Sequence, residues 1–484
     1  MPCGENVMIS YPNKVYKFTY NGSYLFYAIS NQKLISVNEY GADILNLAKD
    51  YPRIEDIIQK CAEKYHLSED EVKPPIITFI KKMLKVGFLE DENGDLDVEA
   101  RTAPVFKKGV TFKELYLHLT NECNQKCLYC YNKTFRTSLD HKFELSLSDF
   151  EHIVSEFSEL GGESITFTGG EPLLSPYLLK LAKFAKKRGL RTNLLTNGTL
   201  CNTENAADIC KNIDQIIVSL DSKHLEEHEF LRGKNTYTKT VAGIKTLSRY
   251  LRENNLLKTK LFCRPVITLN NINNILDYPQ FMMQELGCSR MLPAAYVPND
   301  LSGFNGGLFL SFQEILTCLL KLHSNLETLG GLLVNDFTTL KFHSNCSACT
   351  SIISIAPDGS IYPCQSLHHP DFVLGNIKDG SLDQVVMASP ISKLFQEFHY
   401  SQIPTCTECV LGPICGGGCR AIAYRYYHNF NAYNEVYCPF YRQRLEFGLW
   451  LKTVKIVWDQ DRYALSQEEG SDSGKETRES GSCP

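Results

Sequence analysis

The chain has 484 residues, of which 43% are hydrophobic and 22% charged, the balance of an ordinary globular protein. A formal net charge of −5 argues against nucleic acid as the default partner. No apolar run reaches the roughly 18 residues needed to cross a bilayer, and the opening MPCGENVMISYPNK lacks the basic and apolar regions of a secretory signal, so a cytoplasmic protein is expected.

Residues 1–95 read as a small module. Alternating segments at Lys14–Thr19, Tyr24–Ile29 and Leu34–Val37 predict strands, and apolar residues at helical spacing predict helices over Glu39–Lys49, Ile54–Tyr65 and about Ile76–Lys85. Gly87–Asp95 closes the module as a strand-and-turn wing. This order suggests a winged-helix shape, yet residues 38–100 carry 15 acidic against 8 basic residues, a charge that repels phosphates. A peptide or protein ligand is the better expectation.

Residues 96–112 form a polar linker. From 113 to 335, predicted strands (Leu115–Thr120, Ser164–Thr168, Arg191–Leu195, Gln215–Leu220, Leu261–Leu269, Met291–Val297) alternate with helices such as Leu147–Leu160, Pro176–Arg188 and Thr238–Arg252. Such βα repetition predicts a parallel sheet, open or rolled into a full or partial barrel, with its site at the C-terminal strand ends. Residues 336–445 are rich in loops and cysteines, 446–465 predict a C-terminal helix, and 466–484 read as a disordered tail.

Nineteen cysteines in a chain expected in a reducing compartment point to metal ligation or catalysis rather than disulfides. Cys123, Cys127 and Cys130 follow the first strand of the βα region as C-x3-C-x2-C. Three thiolates on one loop can hold three irons of a [4Fe–4S] cube and leave the fourth open, whereas a closed structural zinc needs four ligands. Later, Cys346, Cys349 and Cys364 precede the run Cys406, Cys409, Cys415 and Cys419, with Cys438 beyond. Two zinc sites are the competing reading of these eight. The other cysteines, at 3, 61, 201, 210, 263, 288, 318 and 483, show no ligand spacing and read mostly as buried thiols.

The first triplet, with the aromatic Tyr129 before its last cysteine, resembles the signature of the radical S-adenosylmethionine superfamily. That resemblance, over about 113–300, implies a partial (β/α)6 barrel. Further residues fit in order: Gly169, Gly170 and Glu171 of GGEP, implying contact with the methionine amino group; Asn197; Ser219 and Asp221, implying ribose contacts; and Arg232, implying a partner for the methionine carboxylate. Tyr129 would lie against the adenine. The C-terminal spacings resemble the SPASM extension, which carries two auxiliary [4Fe–4S] clusters. By that resemblance Cys346, Cys349, Cys364 and Cys419 bind one, and Cys406, Cys409, Cys415 and Cys438 the other.

A winged-helix-like module joined to such a barrel and extension is similar to maturases of ribosomally made peptides, including thioether-forming (sactisynthase-like) ones. In these, a PqqD-like module binds the precursor's leader by β-augmentation. The resemblance implies S-adenosylmethionine and three clusters as cofactors, with a ferredoxin or flavodoxin as electron donor. It also implies hydrogen abstraction from the peptide by a 5′-deoxyadenosyl radical and, as first expectation, a cysteine thioether crosslink. Carbon–carbon crosslinking comes second. Sulfatase-maturing relatives place an aspartate after the cysteine of the YPC segment; Gln365 stands there, which counts against that activity.

Overall fold

The computed structural model describes residues 8–12, 15–20, 23–28, 33–92, 112–130, 144–288, 290–298, 307–329, 332–333, 346–409, 411–442 and 445. The expected linker, apart from residue 112, and the expected C-terminal helix and tail lie outside these residues. Two compact units divide between Lys107 and Lys108.

In the first unit, β1 (Ile9–Ser10) precedes an antiparallel sheet of β2 (Val15–Tyr20), β3 (Ser23–Ala28) and β4 (Lys33–Val37) in that order. Three helices follow: α1 (Glu39–Asp50), α2 (Ile54–Tyr65) and α3 (Glu69–Lys85). α1 starts at Asn38, whose side chain accepts the Gly41 N–H, the usual answer to an unpaired first-turn amide. α3 begins seven residues before the expected Ile76, because Ser68 and Glu71 form a capping box ahead of Pro74 and Pro75. The prolines hide this turn in the sequence, although the fold tolerates them early in a helix. Of the expected wing, β5 (Glu90–Asp91) pairs antiparallel with β1. Phe26, Leu45, Ile57, Ile80 and Phe88 are among the residues that close one apolar core between sheet and helices.

The second unit is built on parallel strands β6 (Glu114–His118), β7 (Ser164–Thr168), β8 (Arg191–Thr196), β9 (Gln215–Val218) and β10 (Lys260–Cys263). α4 (Leu147–Glu159), α5 (Leu178–Lys187), α6 (Ala206–Asn212), α7 (Leu225–Arg232) and α8 (Tyr237–Glu253) lie between them in the chain. The expected fifth strand breaks at Arg264–Pro265, giving β10 and β11 (Val266–Ile267). The sixth breaks at Leu292–Pro293, giving β12 (Arg290–Met291) and β13 (Ala294–Ala295). Proline has no N–H for the ladder, and the pieces beyond the breaks pair with each other, β11 with β13. α9 (Phe312–Thr328) leads to β14 (Leu332–Leu333), which pairs with β12. This open run of βα units is the partial barrel.

The cysteine-rich extension, expected as a domain of its own, shares the barrel's sheet. β15 (Ile352–Ile355) lies parallel to β6, and β16 (Ser360–Tyr362) and β17 (Gly375–Asn376) continue antiparallel beyond it. The sheet order is therefore β14-β12-β10-β9-β8-β7-β6-β15-β16-β17. The extension covers the edge that β6 would otherwise expose. α10 (Leu382–Ala388), α11 (Pro390–Glu397) and α12 (Arg420–Tyr427) complete it.

Candidate functional site

The C-terminal ends of β6 to β9 are tied into one layer. Cys123, Cys127 and Cys130, all half-buried, sit on the loop after β6. The turn after β7 docks onto this loop through its backbone: Gly170 N–H donates to Thr120 O at 2.7 Å and Glu171 N–H to Glu122 O at 2.7 Å. A Cβ on Gly169 would lie 2.3 Å from Thr120 O, and one on Gly170 would lie 1.9 Å from Glu122 O. Gly169 also holds φ +131°. The two glycines are required because one backbone presses on another.

The Glu171 carboxylate, expected to answer the methionine ammonium, is also held by donors inside the protein. It accepts from Thr196 Oγ1 (2.7 Å), Asn197 N (2.8 Å) and Leu173 N (3.2 Å) and is 1% exposed. The reason is position: burial at the end of β7 demands local donors, and β8 supplies two. Burial raises its pKa, with these donors pulling the other way. Asn197 in turn donates from Nδ2 to Asn124 Oδ1 at 2.7 Å, latching the β8 loop to the cysteine loop.

Asp221 and Arg232, expected to meet the ribose and the methionine carboxylate separately, are paired with each other. Arg232 Nε donates to Asp221 Oδ2 at 2.7 Å and Nη2 to Oδ1 at 3.2 Å. Val266 N–H (3.0 Å) and the Tyr129 hydroxyl also donate to this carboxylate. The Asp221 and Arg232 side chains are 0% and 7% exposed. Burial opposes the Arg232 charge, but the adjacent carboxylate outweighs it and raises the guanidinium pKa. Arg232 also stacks over the Tyr129 ring (5.5 Å) and points Nη1 at Cys127 Sγ, 3.9 Å away. Burial pushes the Cys127 thiol up to about 11, against the pull of Arg232. Ser219, half-buried at the end of β9, completes the layer and donates its N–H to Thr196 O.

The other eight thiols sort into two quartets. Burial and then Cys346, Cys419 and Cys349 push the Cys364 thiol well up, so these three lie near Cys364. Cys349 N–H reaches Ile352 O and Pro363 O, folding the first pair against the segment that carries Cys364. Cys406 and Cys415 are each pushed up to about 11 by burial and by members of the second quartet. Cys406, Cys409, Cys415 and Cys438 all line one cavity of about 40 Å³. Gly416, Gly417 and Gly418 carry the chain from Cys415 to Cys419 with φ of 65°, 82° and 77°. Three successive left-handed residues need glycine, so this spacer lets adjacent cysteines of the run face different quartets. Of the unpatterned cysteines, 61, 201, 210, 263, 288 and 318 are buried thiols, and 3 and 483 lie outside the described residues.

Sequence reasoning did not single out Asn124, Thr196, His228 or Arg420. Asn124 lies inside the cysteine motif and Thr196 beside TNG, but their roles come from partners dozens of residues away. His228 accepts the Asp221 N–H at Nδ1 (3.3 Å), a contact set by how α7 packs.

Three thiols on the loop after β6 and eight more in the loops and short helices of the extension suit one class of protein, an iron–sulfur enzyme. The donor set suits such clusters: Cys123 and Cys130 neighbour Cys127, and Cys406, Cys409, Cys415 and Cys438 line one cavity, while among the described residues no three ligands close on a single metal ion. The Radical SAM superfamily matches residues 117–278, the SPASM iron–sulfur cluster-binding domain 346–410, and the coenzyme PQQ synthesis protein D family 23–89. Residues 117–278 thus carry a radical S-adenosylmethionine domain, 346–410 a SPASM domain and 23–89 a PqqD-like module. The radical S-adenosylmethionine and SPASM domains imply [4Fe–4S] clusters and S-adenosylmethionine as cofactors.

The chain is 27% identical to the antilisterial bacteriocin subtilosin biosynthesis protein AlbA of Bacillus subtilis, over 62% of this chain and 65% of AlbA. It is 26% identical to the PqqA peptide cyclase of Gluconobacter oxydans, over 64% and 86% of the two chains. Its fold matches that of Streptococcus suis SuiB bound to S-adenosylmethionine, with TM-score 0.54 and 16% identity over 87% of this chain and 95% of SuiB.

Proposed function

We propose that this enzyme installs an oxidative crosslink, a thioether from a cysteine sulfur to a peptide carbon, in a ribosomally made precursor peptide. The sorting of eleven thiols into sets of three, four and four, in a chain that also carries a PqqD-like module, supports this reading most strongly. Relatives named for bacteriocin biosynthesis and peptide cyclisation support it further.

In this reading Cys123, Cys127 and Cys130 would hold a cluster with one iron free of protein ligands, where S-adenosylmethionine could bind. Tyr129, the backbone of Gly169 and Gly170, Asn197 and Ser219 flank it, with Asp221 and Arg232 as the charged wall. Glu171 acts one layer behind, as the tie between β7 and β8. Cys346, Cys349, Cys364 and Cys419 hold one auxiliary cluster; Cys406, Cys409, Cys415 and Cys438 hold the other. When bound, the open cluster and S-adenosylmethionine supply a carbon radical that takes hydrogen from an unactivated C–H bond.

The chain's own contribution is positional. The Thr120–Gly170, Glu122–Glu171 and Asn124–Asn197 contacts hold three loops as one rigid layer, which keeps a target carbon in reach of the reacting group. The buried Asp221–Arg232 pair shields the layer from water on one side. Each link removes two hydrogens from the peptide, and one electron of that oxidation needs an acceptor. Clusters held by the two quartets would accept that electron, the thiol proton leaving to solvent.

The PqqD-like module binds the precursor's leader as an added strand on an outer edge of the β2–β3–β4 sheet, where main-chain bonds supply affinity. A ferredoxin or flavodoxin supplies the reducing electron. Thiols in this number belong in the reducing cytoplasm. Among the described residues no helix is long and apolar enough to cross a membrane.

The test is anaerobic reconstitution with a precursor peptide encoded beside the enzyme, followed by iron counting and mass spectrometry. About twelve irons are expected, with a product two hydrogens lighter per link and fragmentation that locates a sulfur–carbon bond. Bound zinc without cleavage of S-adenosylmethionine would refute the assignment.

A further inference from the structure

Arg420 is the largest fully buried side chain of the molecule among the described residues, 0% exposed. It directly follows Cys419, a member of the first quartet. Its guanidinium turns back on the glycine spacer, donating to Gly417 O and Gly418 O, and both glycines line the cavity of the second quartet. Nη1 donates to Phe430 O at 2.9 Å and Ala432 O at 3.0 Å, and the group stacks over Phe398 at 5.2 Å. Four backbone carbonyls therefore fix it in place.

None of these partners carries a charge. Burial lowers the Arg420 pKa, and thiols oppose it: Cys419 and Cys346 of one quartet, Cys406 and Cys415 of the other. A buried cation without a carboxylate is costly. Such a cation calls for an anion, and the nearest candidates are the quartet of the adjoining Cys419 and the quartet whose cavity Gly417 and Gly418 line. Four thiolates outweigh the positive charge of an iron–sulfur core, so a loaded quartet is an anion.

We propose that Arg420 is a positioning and tuning residue shared by the two auxiliary sites: one cation, held by carbonyls between the quartets, that raises the reduction potential of both clusters. This rests on the reading that both quartets hold clusters. Adding an electron to an anion is easier beside a fixed positive charge, and a low-dielectric interior screens that charge little. Because one group faces both quartets, its effect should be common to both. Lysine could keep the charge but not the planar fork that spans four carbonyls.

The test uses full-length enzyme in which Cys123, Cys127 and Cys130 are alanine, so only the auxiliary sites load. Iron content and an EPR-monitored redox titration are read for this protein and for Arg420→Gln and Arg420→Lys in the same background. About eight irons are expected in each; their absence from the parent protein would overturn the cluster reading itself, not only this inference. With iron present, Arg420→Gln should lower the one-electron reduction equilibrium of both clusters at least tenfold, about 59 mV. Arg420→Lys should keep both within about threefold of the parent. A Gln variant that is iron-loaded yet unshifted, or shifted at one cluster only, overturns the proposal. Should Arg420→Gln not take up iron, Arg420→Lys decides alone: both equilibria within about threefold carries the proposal, and a tenfold drop in either overturns it.

Discussion

Asp221→Asn tests the argument that the charged wall of the radical site is an internal ion pair. The native carboxylate accepts from Arg232 twice, from Val266 N–H and from Tyr129, at 0% exposure. Asparagine keeps the shape but removes the charge and turns one acceptor into a donor facing other donors. Arg232, 7% exposed, is then a buried cation without its counter-ion. Breaking one side of a buried pair costs about 3–5 kcal/mol. Taking about 3 kcal/mol, and about 2–4 °C per kcal/mol for a large domain, the thermal midpoint should fall by about 6–12 °C. The assay is anaerobic circular dichroism melting of Asp221→Asn, Arg232→Gln and the double variant. The double variant should be less destabilised than the sum of the singles, because no charge is left unpaired. An Asp221→Asn protein that melts within about 1 °C of the parent, or strict additivity in the cycle, would refute the reasoning.

Gly170→Ala should displace the cysteine loop, because its Cβ would lie 1.9 Å from Glu122 O, a backbone atom with no freedom to swing away; the expected result is loss of about four irons, read by iron analysis. Cys127→Ala should abolish cleavage of S-adenosylmethionine while leaving the two auxiliary clusters visible by EPR. Removing residues 1–95 should weaken binding of the full-length precursor but not of a leaderless core peptide, measured by fluorescence anisotropy. Burial lowers the pKa of His118 to about 3 and of His228 to about 4. Both are neutral in the fold and protonate in the unfolded chain near pH 6.5, so their contribution is present above that pH and is lost as pH falls towards 4. Stability should drop by up to about 2.7 kcal/mol per pH unit in that window; urea midpoints at pH 7 and 5.5 check this, and His118→Gln should flatten the slope.

The elements were largely legible because each carries its own period. Amphipathic runs place α2 at Ile54–Tyr65, and the buried strand Ser164–Thr168 lies where its short apolar run predicts. What local pattern missed was proline acting against its usual meaning. Pro74 and Pro75 sit inside α3 because a capping box starts the helix before them, whereas Pro265 and Pro293 cut two expected strands in half. Long-range pairing was equally hidden: nothing local to Ile352–Ile355 says that it will pair with Glu114–Leu117, more than 230 residues earlier in the chain.

The sequence by itself determined the chemistry, because cysteine spacing on loops and the GGEP turn are local patterns that need no partner to be read. Only the tertiary structure decided which charged groups are spent on each other. Glu171 goes to Thr196 and Asn197, Asp221 to Arg232, and Arg420 to four carbonyls between the quartets. A buried charge must find its compensation among whatever the fold brings near, and that neighbourhood is assembled from strands far apart in the chain.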